Sequence, residues 1–115
     1  VRQERGDTMS DTLEKVRRLE HYIAGRDAAI DPVLDLTVDK LLQREQARVT
    51  ELKERLADQL AEFEKRFQME SPDFYARYER GEMGDDLDFV EWAATVEMLA
   101  NVEQQFSLLH SDVAP

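Results

Sequence analysis

The sequence of 115 residues contains no cysteine, four glycines, three prolines and two histidines. Without cysteine there is no disulfide, no thiolate nucleophile and no cysteine zinc site, and nothing suggests an oxidising compartment. The few glycines and prolines sit where a helix is due to start or stop, and no Gly-rich phosphate loop occurs. His21 and His110 lie far apart, outside any HExxH-type zinc spacing. No apolar run approaches the ~18 residues that span a bilayer, and no signal-peptide core is present, so a cytoplasmic protein is expected. Strand signals are also scarce: there is no alternating Val/Ile/Thr/aromatic run and no Asn-Gly or Asp-Gly turn. Basic residues are in deficit, with 15 Lys+Arg against 26 Asp+Glu and a net charge of -11. Direct nucleic-acid binding, which needs a basic face against phosphate, is therefore not expected. Neither an enzyme nor a cofactor nor a metal centre is expected from this inventory.

What is present is helical. The expected fold is all-α, an elongated helical hairpin or bundle with a long central helix, one helix before it and two after. A single helical domain over 10–110 is flanked by a disordered extension (1–9) and tail (111–115). VRQERGDT, ahead of Met9, reads as a tag remnant or an over-extended start. The first helix is predicted over Asp11–Ala24, with Asp11 and Glu14 at capping-box spacing and Gly25 at its end. Leu13, Val16, Leu19, Tyr22 and Ile23 form its apolar stripe. After a short connection, Asp31 and Pro32 read as an N-cap followed by proline at the first helical position.

From Pro32 to about Met69 neither glycine nor proline intervenes, so one helix of roughly 55 Å is predicted at ~1.5 Å per residue. Its inward positions are Val38, Leu41, Glu45, Val49, Leu52, Leu56, Leu60, Phe63 and Phe67, widened by Leu34, Leu42, Ala57 and Ala61. Val38, Val49 and Leu60 are eleven residues apart, as are Leu41, Leu52 and Phe63. Such a repeat gives ~3.67 residues per turn, close to a straight helix. Glu45 is the one polar interruption, a residue type that can fix register in a helical seam. Two readings follow. The stripe packs on the chain's own helices, or Val38 to Leu60 also form the seam of a coiled-coil homodimer.

Ser71 and Pro72 open a short helix closed by Gly81, with Phe74, Tyr75 and Tyr78 expected to fold back on Phe63 and Phe67. Asp85, Asp86 or Asp88 opens the last helix, with Asp88 and Glu91 at capping-box spacing, and this helix carries Phe89, Trp92, Ala93, Val96, Leu99, Val102 and Phe106. Ser10 and Ser71 both read as caps. The acidic cluster Glu82, Asp85, Asp86, Asp88 and Glu91 fits a solvated helix start, a partner-binding patch or, least well, a hard-metal site, since it lacks EF-hand spacing.

Charge is unevenly distributed. Residues 1–69 hold 13 basic and 15 acidic residues, whereas residues 70–115 hold 2 and 11, a net of -2 against -9. A basic partner would be steered to the second region. Aromatic anchors are common at interface hot spots. The expected contact surface is the acidic face from Glu70 to Glu91, with Glu82, Asp85, Asp86, Asp88 and Glu91. Tyr75, Tyr78 and Trp92 read equally as its anchors or as the domain's own core, and Phe89, Val96 and Phe106 read as core.

The stretch FEKRFQMESPDFYARYERGEMGDDLDFVEWAATVEML (63–99), preceded by LTVDKLL (36–42), resembles a group of small bacterial and archaeal helical proteins. These are encoded beside a second small protein and regarded as antitoxin-like members of toxin–antitoxin pairs. Phe63, Phe67, Ser71, Phe74, Tyr75, Gly81, Gly84, Asp85, Asp88, Glu91 and Trp92 carry the likeness. The resemblance implies a non-catalytic protein that neutralises or regulates a cognate partner, plausibly a basic, nucleic-acid-acting toxin. No ribbon–helix–helix or swapped-hairpin segment is evident, so operator binding is not part of what it implies. The alternative is a structural scaffold acting through homodimerisation of the long helix.

Overall fold

The computed structural model describes residues 8–25 and 31–110 of the chain. Among them are four helices and no strand: α1 (Thr8–Ala24), α2 (Pro32–Phe67), α3 (Ser71–Glu79) and α4 (Leu87–His110). The expected all-α class and element order are thus observed. Residues 1–7 of the expected extension at 1–9, the connection at 26–30 and the tail at 111–115 lie outside the described residues. Contacts divide the chain into two compact units at Asp39/Lys40, inside α2, where the sequence suggests one domain.

In the first unit, α1 begins at Thr8 rather than Asp11, so Thr8 and Met9 belong to the helix and Ser10 is not its cap. Asp11 is helical and pairs with Lys15 one turn on at 3.3 Å, in place of the expected capping box. Gly25 closes the helix by donating its N–H to the His21 carbonyl at 3.1 Å. The apolar stripe is open to solvent at Leu13, Val16 and Leu19. The start of α2 follows its sequence: Asp31 Oδ1 accepts the Val33 N–H at 2.8 Å, with Pro32 at the first helical position.

In the second unit, α2 and α4 form an antiparallel hairpin. Phe67 meets Phe89, Phe63 stacks on Trp92, Lys53 lies over the Phe106 ring, and Gln46 Nε2 donates to the Leu109 carbonyl. The separation from Trp92 to Leu109 along α4 equals that from Gln46 to Phe63 along α2, so the register is kept throughout. The hairpin needs α2 uncut, and the helix does run through Glu45 without a break.

The connections are built from local hydrogen bonds. The helix α2 stops at Phe67 rather than Met69 because Gln68 takes a left-handed φ of 54°, and Met69 N–H returns to the Glu64 carbonyl. That is the Schellman bond, made here without glycine, with Gln68 Nε2 adding a 2.8 Å bond to the Lys65 carbonyl. At the end of α3 the usual residue is used: Gly81, φ 77°, lets Gly81 N–H reach Tyr78 O and Glu82 N–H reach Arg77 O. Of the three candidate openers of α4, Asp86 is the cap, its Oδ1 accepting the Asp88 N–H at 2.9 Å. Replacing Asp86 by Ala should lower stability in urea unfolding by about 1 kcal/mol, the ordinary cost of a lost cap. Asp85→Ala next to it should stay within about 0.5 kcal/mol of the parent.

Candidate functional site

The centre of the second unit is an aromatic stack. Trp92 and Phe74 are both fully buried, with ring centroids 3.8 Å apart and planes 2° from parallel. Phe63 and Phe67 of α2 stack on the same indole at 5.5 and 5.6 Å. Each buried aromatic removes ~150–250 Å² from water, an upper estimate of about 4–6 kcal/mol at ~25 cal/mol per Å². Its one polar atom is satisfied too: Trp92 Nε1–H donates to Ser71 Oγ at 3.0 Å. Two expectations change here. Trp92 is a core residue rather than a surface anchor, because its whole surface is covered. Ser71 is the first residue of α3 rather than its cap, since Glu70 holds the cap position and the Ser71 hydroxyl serves the indole. The Ser71 N–H in turn donates to Glu64 Oε2 at 2.8 Å. The sequence does not reveal this role of Ser71, because the pairing spans 21 residues and leaves no local signature.

The acidic cluster divides by what each carboxylate does. Glu82 accepts two bonds from Arg80, at 2.7 and 3.2 Å, and that guanidinium holds its carboxyl below the usual range. Asp86 caps α4, and Asp88 binds Arg66 of α2 at 2.8 Å, so Asp88 and Glu91 do not form a capping box. Asp85 and Glu91 have exposed side chains with no side-chain partner among the described residues. Tyr78 is half-buried against Phe74. Tyr75, also half-buried, donates its hydroxyl to Glu97 Oε2 at 2.7 Å. That bond, aided by the charge of Glu79, raises the Tyr75 pKa well above the ordinary tyrosine value. No group of three or more acidic or histidine side chains among the described residues is arranged to hold a metal ion.

The expected seam of α2 is split in the same way. Leu56 is buried and Leu60 packs against the Trp92 cluster, so these two positions are covered by the chain itself. Val38, Val49 and Leu52 are half-buried. Glu45 turns its carboxylate to Arg44 and Arg48 at 3.0 and 3.5 Å instead of interrupting a closed seam. Leu41 and Leu42 are 54% and 43% exposed, so an open apolar face begins where α4 ends its cover.

Two shallow grooves flank the hairpin. One, about 530 Å³, is lined by Phe63, Ala94 and Met98 with charges of both signs, Arg66 and Glu62 among them. The other, about 590 Å³, lies beside α3 and is lined by apolar and acidic side chains. Neither a family model, nor a curated protein, nor a solved structure matches the chain.

Removing the Ser71 hydroxyl should orphan the indole N–H. Ser71→Ala should therefore cost about 1–3 kcal/mol in chemical denaturation. The same change in a Trp92→Phe background should cost far less, giving a non-additive double-mutant cycle. In an ultraviolet phenolate titration, Glu97→Gln should bring the Tyr75 transition down toward the ordinary range. The sign follows from linkage: the phenol bond stabilises the fold fully below the ordinary tyrosine pKa and is lost as pH rises through the raised value.

Proposed function

We propose that the chain is a non-catalytic, antitoxin-like binding protein that neutralises or regulates a basic cognate partner, a nucleic-acid-acting toxin, in the cytoplasm. The observation that carries this reading is the charge partition, 11 acidic against 2 basic residues over 70–115. Complementary potential speeds encounter and penalises the wrong partner, which suits a protein whose task is to cover another's basic face. The resemblance over 63–99 supports the same reading. Asp85 and Glu91, which have no side-chain partner to give up, and the half-buried rims of Tyr75 and Tyr78 are the contacts this reading favours.

A second reading, a scaffold paired along the long helix, is favoured by the exposure of Leu41 and Leu42 on α2. The two separate by mutation. Co-expressed with the product of the adjacent gene, the parent chain should co-purify at low salt and release as salt rises, because exposed charges are screened. Asp85→Lys with Glu91→Lys should weaken that association about tenfold or more without changing the thermal midpoint. Leu41→Lys with Leu42→Lys should leave it intact, and light scattering on this variant reports on self-pairing. Failure to co-purify at low salt, combined with a dimer that the Leu41/Leu42 variant abolishes, would establish the scaffold reading instead.

A further inference from the structure

We propose that the groove beside α3 receives a basic amphipathic helix of a partner protein, docked as a third helix on the α2–α4 hairpin. The inference rests on the protein-binding reading above and adds to it a second surface, apart from Asp85 and Glu91. An antiparallel helix pair leaves a valley along each side, and a third helix with an apolar row fills such a valley in a bundle. Here the floor is Leu60 of α2 with Val96, Leu99 and Ala100 of α4. With Glu103, the α4 residues follow i, i+3, i+4, i+7 spacing, the face a helix offers to another helix. Alanine at position 100, and at position 76 on the α3 wall, leaves room for close approach.

The chain's own third element cannot fill this valley. The α3 helix has nine residues and is anchored at one end of the hairpin through Phe74, so it closes the groove there and leaves the rest open. The rim decides what chemistry fits. Glu64, Glu79 and Glu103 line it, Glu97 stands at its edge on the Tyr75 hydroxyl, and no Lys or Arg lines it. The groove on the opposite side carries Arg66 and has no such preference. Leucines on one face, flanked by lysine or arginine, complement the floor and the rim together. A helix with acidic flanks would be repelled.

The test uses the isotopically labelled full chain and a synthetic peptide helix with a leucine stripe and lysine flanks. Controls are the same peptide with glutamate for lysine and one of identical composition in scrambled order. The expected result is amide shifts confined to residues 60–64, 71–79 and 96–103, from the first peptide alone. Glu79→Lys with Glu103→Lys should weaken binding about tenfold with an unchanged thermal midpoint. Equal binding of the scrambled peptide would overturn the groove in favour of charge attraction alone. Shifts centred on 85–91 would overturn it while leaving the acidic-surface reading in place. No binding by any peptide would overturn it as well, and co-purification with the neighbouring gene product then judges the broader reading separately. Loss of self-association in the rim variant by light scattering would make the occupant a second copy of this chain, overturning the assignment to a different protein.

Discussion

The second unit depends on the burial of one indole whose N–H finds its acceptor. Trp92 is the only tryptophan, and it gathers Phe63 and Phe67 from α2, Phe74 from α3 and the Ser71 hydroxyl into one contact. The stack holds α3 where it lies. A nine-residue helix is too short to be stable alone in water, so its position is set by Phe74 against the indole and by Ser71 bonded both to it and to Glu64. Exposed ion pairs such as Arg66–Asp88 add little beside this burial, since solvent screens them.

Because most of the rings are spent inside, the exposed surface is left with charge and shape. Of the aromatics in 70–92, Tyr75, Tyr78 and Phe89 are half-buried, whereas Phe74 and Trp92 keep no solvent contact. The same economy applies to α2. Its leucines from Leu56 onward are used against α4, and the open leucines of its stripe lie toward the start, at Leu41 and Leu42. One continuous stripe in the sequence thus serves two environments, and its eleven-residue spacing holds through both because a straight helix needs no change of period.

The elements were legible because their signals are local. Asp31-Pro32, Ser71-Pro72 and Gly81 mark boundaries through backbone chemistry that acts within one turn, and the helices begin or end there. Gln68 shows where this fails. The sequence offers no glycine at the end of α2, and a non-glycine residue in the left-handed region closes the helix two residues before its expected end. The site was less legible, because partner choice in the core is long-range. Nothing near Ser71 reveals that its hydroxyl meets Trp92, and nothing near Asp88 reveals Arg66. The acidic cluster therefore looked uniform in sequence, although its members divide into a cap, two ion-paired groups and two free ones.

That division also constrains how any basic partner is held. A carboxylate that already accepts a guanidinium, as Glu82 and Asp88 do, gains little from a second cation, because the first must be displaced or shared. A carboxylate that caps a helix, as Asp86 does, is oriented toward backbone N–H groups, and pulling it away uncaps α4. Free carboxylates carry neither cost. They also repel one another, so a region with a net of -9 is strained electrostatically until cations approach. Relief of that repulsion adds to each new contact, and it is largest where acids stand over an apolar floor that excludes water. Around this hairpin those conditions coincide beside α3, where Glu79 and Glu103 border Val96 and Leu99.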